Sequence, residues 1–243
     1  MLHIPRLVLI GVYFLFASVV SLLICLARPF HPDNSRLCGK VFAVPSLRIM
    51  GLRLQVETAD WQAQPNPFVI VANHQSNWDL FVLGGAVPPR TVSIGKQSLK
   101  WLPLFGQIFW LAGNILIDRG NAAKAKAAML HTTAVMQSQD TSIWVFAEGT
   151  RNHGQGLLPF KKGAFQMAIN AGLPIVPVCC SSYKNTMRLN RWNSGSVIIK
   201  TLSPIPTAGM TLDDMPALME DCRAKMLACI AELDARTAVL TSA

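Results

Sequence analysis

The stretch LVLIGVYFLFASVVSLLICLA, Leu7 to Ala27, runs 21 residues without a charge and is closed at its two ends by Arg6 and Arg28. About 20 apolar residues in a helix match the hydrocarbon thickness of a bilayer, so the rest of the chain must fold around a segment that water does not favour. Three uses fit: a membrane span, a monotopic anchor, or the core of a cleaved signal peptide. Arg6 and the small residues Cys25 and Ala27 suit a signal. The apolar run is nonetheless longer than the roughly 7–15 residues of a signal core, which favours a retained span or anchor. Arg28, Arg36, Lys40 and Arg48 follow the run and only Arg6 precedes it, so the positive-inside rule predicts a body on the cytoplasmic side. A second, weaker apolar stretch, Leu37 to Met50, carries Lys40, Pro45 and Arg48. It reads equally as a basic piece lying in the membrane interface or as a helix packed on the domain. The organisation predicted is an anchoring region over 1–51 and a second region over 52–243.

The chain has 22 Lys and Arg against 13 Asp and Glu, yet only 14% of its residues are charged and its mean hydropathy is +0.34. A nucleic-acid reader would share the charge but would be charge-rich and cluster its cations, so no nucleic-acid partner is expected. A phospholipid membrane surface satisfies both signs. Six cysteines form no CxxC pair and no zinc spacing, which predicts core thiols in a reducing compartment and no metal site.

From Leu52 onward short apolar runs alternate with helical patterns, the signature of an α/β sheet with covered faces. Strands are predicted over Leu52–Glu57, Phe68–Ala72, Thr91–Gly95, Asn114–Ile117, Ser142–Ala147, Ile175–Ser181 and Ser196–Leu202. Helices are predicted over Ala122–Gln139, Lys162–Ala171 and Asp213–Arg236. A length of 243 residues suits one such domain plus a short addition. Leu99 to Gly113, rich in Trp, Phe and Leu and lacking acids, fits either the core or a face meeting lipid.

Between the strand ending at Ala72 and the next helical pattern lies NHQSNWD, with His74 and Asp79 five positions apart. On a regular helix such positions point in different directions. The two side chains can meet only if His74 sits on the turn and Asp79 near the helix start, where the carboxylate also suits the positive helix end. An aspartate accepting from one ring nitrogen leaves the other free as a base. Ser76 between them raises a Ser-His-Asp hydrolase, but no GxSxG elbow occurs anywhere in the chain. The dyad would otherwise act on a hydroxyl of the substrate. Cations recur at other predicted strand ends: Lys96 in GKQSLK, Arg119 in GNILIDRG, and Arg151 in FAEGTR beside Glu148, Gly149 and Thr150. In α/β sheets ligands collect beyond the carboxyl ends of strands, and Arg and Lys there fit a phosphate.

Four blocks in this order, NHQSNWD, GNILIDR, FAEGTR and LPIVPV, make the chain resemble the HxxxxD glycerolipid acyltransferases over essentially its full length. The resemblance implies a single mixed-sheet acyltransferase domain, covered by helices and preceded by an N-terminal membrane-anchoring helical segment at the bacterial cytoplasmic (inner) membrane. It implies transfer of a fatty acyl group from acyl-CoA or acyl carrier protein to the free 2-hydroxyl of lysophosphatidic acid, with no cofactor beyond that thioester co-substrate. In family terms His74 is the general base and Asp79 its orienting partner. Arg119 and Glu148 to Arg151 match acceptor-binding positions, with Lys96 joining them at the phosphate. The family usually has proline where this chain has Ala147; alanine can adopt the same backbone angles. Another lyso-lipid acceptor, a membrane hydrolase, or an anchored lipid-binding module without catalysis are the alternative readings.

Overall fold

The computed structural model of the chain describes residues 2–57, 67–118, 120, 132, 133, 136 and 139–242, with 241 and 242 described by backbone alone. The predicted helix Ala122–Gln139 falls largely outside them. Two helices come first, α1 (His3–Ala27) and α2 (Asn34–Met50). Strands β1 (Leu52–Glu57) and β2 (Val69–Ala72) precede a one-turn helix α3 (Asp79–Val82); β3 (Thr91–Lys96) leads to α4 (Phe105–Leu111) and β4 (Ile115–Ile117). β5 (Ser142–Phe146), α5 (Gly163–Ala171), β6 (Ile175–Cys180), β7 (Gly195–Thr201) and α6 (Met215–Ser242) complete the chain.

Among the described residues the strands form one seven-stranded sheet in the order β1-β7-β6-β2-β5-β3-β4, parallel throughout except for the antiparallel β6–β7 pair. Every residue of β2 (VIVA) and β6 (IVPVCC) is buried, as expected of central strands covered on both faces. Edge strand β1 (LRLQVE) instead exposes alternate polar residues. The pleat divides β2, β5, β6 and β7 between two cores. Val69, Val71, Ile143 and Ile198 pack under α5 and α6 with Phe165, Cys222 and Met226. Phe68, Ile70, Trp144, Val176 and Ile199 pack on the other face with Ile10 and Ala17 of α1, Phe42 and Met50 of α2, and Phe81 of α3. Residues 1–51 thus share a core with the strands that follow.

Helix α1 is long and apolar enough to cross a membrane. Its inner stripe, Arg6, Ile10, Ala17, Ser21 and Cys25, is buried along the whole length, while Ile4, Val8, Val12, Phe16, Val19 and Leu23 face outward. Arg6 clamps the first turn: its guanidinium donates to the carbonyls of Leu189 (3.0 Å), Trp192 (2.9 Å) and Arg191 and to Ser194 Oγ (2.7 Å). Helix α2 is packed on the domain, the second of the two readings of 37–50. There Gly39 meets Gly84 backbone to backbone, and a Cβ on Gly39 would lie 2.4 Å from the Gly84 carbonyl oxygen. The segment 99–113 divides, with Gly106 and Ile108 buried while Trp101 and Trp110 are exposed.

Candidate active site

Because β6, β2, β5, β3 and β4 run parallel, their carboxyl ends share one edge of the sheet. The loop 73–78 leaves β2 there and is tied to the neighbouring strand end. Asn73 donates through Nδ2 to the Cys180 carbonyl (2.9 Å) and accepts from the Cys180 N–H (2.8 Å). Gln75 donates to the Ser181 carbonyl (2.8 Å) and accepts from the Tyr183 N–H (3.0 Å). On the other side, the carbonyls of His74 and Gln75 accept from the N–H groups of Asn152 (2.8 Å) and His153 (3.1 Å). Both neighbours of His74 are thereby fixed before its side chain is considered.

Asp79 is the first residue of α3, and the carboxylate reaches back over the turn. Its Oδ2 lies 2.6 Å from His74 Nδ1 and accepts from the N–H groups of Gln75 (2.7 Å) and Ser76 (3.1 Å). Its Oδ1 accepts from the Tyr183 hydroxyl at 2.5 Å. An ionised carboxylate only accepts, which assigns the proton to Nδ1 and leaves the lone pair on Nε2. Nε2 has no protein partner among the described residues. The His74 side chain retains 19% of its exposure, and the ring stacks on Phe146 with centroids 3.9 Å apart and planes 12° from parallel. Phe146 pairs with Ala72 across the β2–β5 ladder, so the same register that places the loop supplies the stacking partner.

Ser76 is not placed as a nucleophile. The Tyr183 hydroxyl gives its hydrogen to Asp79, so the 3.0 Å contact between Ser76 Oγ and Tyr183 runs from the serine, whose oxygen accepts from the Trp78 N–H (3.0 Å). Its hydroxyl is buried and committed, and the histidine nitrogen nearest the carboxylate is already taken. The arrangement has one base nitrogen open to a substrate and no serine paired with it.

Glu148 follows β5 and turns inward. It is buried, with Oε1 accepting from the His74 N–H (2.7 Å) and Oε2 from the Leu158 N–H (2.9 Å). Burial holds its carboxyl above the usual range, against the pull of those two bonds. The sequence reading placed this carboxylate with the acceptor. In the structure both its oxygens have protein partners, and it joins the His74 loop to the 148–162 loop. Gly149 takes a left-handed backbone (φ 68°) that lets the chain turn outward immediately afterwards. Thr150 and Arg151 are exposed, as are Lys161 and Lys162. Lys96, on β3, is also exposed and lies two strands from β2 in the sheet order, roughly 10 Å sideways at ordinary strand spacing. It lines a cleft of about 380 Å³ with Lys100, Trp101 and Asp118. Arg119 lies outside the described residues.

The structure therefore brings His74, Asp79 and Glu148 into one hydrogen-bonded group and leaves Lys96, Thr150 and Arg151 facing solvent near the same edge. Sequence reasoning missed Tyr183, Phe146, Asn73 and Gln75. A signal existed for the first: the chain has only 2 tyrosines, and this one closely follows a predicted strand end.

Residues 53–181 match the family described as Acyltransferase. The chain is 41% identical over 239 residues to the 1-acyl-sn-glycerol-3-phosphate acyltransferase of Salmonella typhimurium, covering 98% of this chain and 97% of that one. It is 37% identical over 223 residues to the human 1-acyl-sn-glycerol-3-phosphate acyltransferase alpha, covering 91% of this chain and 78% of the relative. Its fold is similar to the crystal structure of the 1-acyl-sn-glycerophosphate acyltransferase of Thermotoga maritima, with a TM-score of 0.74 at 22% identity over 97% of this chain and 98% of the other.

Proposed function

The chain belongs to the acyltransferase family, and we propose that it transfers a fatty acyl group from a thioester to the 2-hydroxyl of 1-acyl-sn-glycerol 3-phosphate, giving phosphatidic acid for phospholipid synthesis. The observation that carries the proposal is the 2.6 Å contact between His74 Nδ1 and Asp79, which leaves Nε2 without a protein hydrogen bond among the described residues on a side chain that keeps part of its exposure. His74 Nε2 takes the proton of the acceptor hydroxyl as its oxygen attacks the thioester carbonyl. Asp79 stabilises the imidazolium that results. Collapse of the tetrahedral intermediate breaks the C–S bond, and the departing sulfur takes the proton from His74. The acyl group passes directly to the acceptor, in keeping with the buried Ser76 hydroxyl.

Arg151 and Lys96, exposed and without side-chain partners among the described residues, are proposed to hold the acceptor phosphate, joined by Arg119; Gly149 and Thr150 shape the turn that presents Arg151. Two donor classes, acyl-CoA and acyl carrier protein, are both acidic and suit the basic surface. The outward apolar face of α1, its inner face occupied by the protein from Arg6 to Cys25, supports a helix half-inserted into one leaflet rather than standing free across the bilayer. The location proposed is the bacterial cytoplasmic membrane, with the catalytic edge on the cytoplasmic side.

The test is an assay of detergent-purified protein with lysophosphatidic acid and each donor in turn. Phosphatidic acid should form and His74→Ala should abolish it without changing the melting curve. Equal rates with acceptors lacking the phosphomonoester, or release of free fatty acid to water, would replace the proposal with the other lyso-lipid or hydrolase reading.

A further inference from the structure

Tyr183 stands three residues beyond β6, buried, and belongs to none of the four sequence blocks. Its N–H is held by Gln75, and its hydroxyl lies 2.5 Å from Asp79 Oδ1 and 3.0 Å from Ser76 Oγ. The division of labour at the carboxylate is uneven. Oδ2 collects three donors, among them the imidazole, while the donor for Oδ1 among the described residues is the phenol. A carboxylate oxygen buried without a donor is strongly disfavoured, so the phenol makes the ionised form tolerable and draws charge away from the imidazole side.

From this geometry we infer that Tyr183 is a positioning residue that sets the proton affinity of the His74–Asp79 pair; the inference rests on His74 acting as the base. Three further ionisable groups face the pair among the described residues. Glu148 touches it through the His74 N–H, the buried Cys180 thiol lies near enough to feel the Asp79 charge, and the phenol itself completes the set. Burial together with the Asp79 charge pushes both the Cys180 thiol and the Tyr183 phenol far above their ordinary values. Both stay neutral while the enzyme works, so Tyr183 remains a donor across the whole pH range of an activity profile.

Removing the hydroxyl concentrates the carboxylate charge on the imidazole. Whichever member of the pair then carries the proton, the pair takes it up at higher pH. Tyr183→Phe keeps the ring and its packing in the core. It should move the acid limb of the kcat–pH profile upward by about one unit, as expected for a lost hydrogen bond to a charged group. Well below the limb kcat should fall about tenfold, with the two profiles converging at high pH and the acceptor KM unchanged.

The limb position does not depend on what fraction of the protein is folded, so a variant of lower stability still reports on it. In an Asp79→Asn background Tyr183→Phe should change the residual rate by less than about twofold, because the partner through which it acts is gone. An unmoved limb, or an undiminished effect in the Asn background, would overturn the inference while an inactive His74→Ala enzyme left the base assignment standing. A His74→Ala enzyme with near wild-type turnover would overturn both together.

Discussion

Two groups of polar residues share the carboxyl edge of the sheet and are held in opposite ways. Around His74 and Asp79 the polar atoms are spoken for by Gln75, Ser76, Glu148 and Tyr183 at 2.5–3.1 Å, leaving Nε2 open. Lys96, Arg151, Lys161 and Lys162 are exposed and make no ion pair among the described residues. The first group is preorganised by the chain itself, so its geometry exists before substrate arrives. The second keeps its charge hydrated and gains partners only when an anion binds. Substitutions in the first should therefore act on kcat or on folding, and substitutions in the second on acceptor KM.

The largest effect belongs to His74, the proposed base. His74→Ala should lower kcat by about 10² to 10⁴-fold, the range for a positioned general base, with the melting curve unchanged. Glu148→Ala comes next and is the sharper test, because the family resemblance implies a place at the acceptor while the structure gives both carboxylate oxygens protein partners. It should destabilise the fold by about 1–3 kcal/mol in a denaturant titration, since two partly buried N–H groups lose a carboxylate acceptor. Activity should fall through kcat with little change in acceptor KM; a pure KM effect would move Glu148 back among the binding residues.

Burial also gives this side chain a pH signature. Its folded pKa lies above the ordinary 4.5, so the unfolded chain ionises first. The wild type should lose stability as pH rises from about 4.5 through the folded value, and Glu148→Gln should flatten that slope. Arg151→Ala should raise acceptor KM about tenfold, sparing donor KM and stability. Lys96→Ala should do the same more weakly and lose its effect at high salt. The smallest effect is expected of Ala147→Pro, which removes a long N–H bond to the Ala72 carbonyl (3.3 Å) and should cost no more than about 1 kcal/mol.

The sheet was legible because its central strands are continuous apolar runs: β1 matches expectation, β2 to β6 each differ by one residue at one end, and β7 is shifted by one residue. The closing helix runs to Ser242, past the predicted Arg236, since no glycine or proline follows to stop it. The meeting of His74 and Asp79 could be anticipated because it is local, joining a strand end to a helix start. The Tyr183 contact spans 104 positions and depends on β6 lying beside β2, an adjacency that no local pattern encodes. Glu148 shows another kind of limit: a carboxylate in a polar loop reads the same whether it turns inward or outward. Likewise the hydropathy of α1 shows that it can enter lipid, while the stripe from Arg6 to Cys25 that meets protein emerges only from packing.

The Arg6 clamp also imposes an order of events during synthesis. Its partner Ser194 lies 188 positions further along the chain. At roughly 5–20 residues per second, about 10–40 s separate the emergence of the helix from that of the loop that grips it. For that interval α1 has its neighbour α2 to pack on, as in the Tyr13 hydroxyl to Val41 carbonyl bond, but not the loop that grips its first turn, and a lipid leaflet can shelter the outward face. In the proposed location the nascent chain thus settles on the membrane first, and the late-emerging 189–194 loop latches an already seated helix.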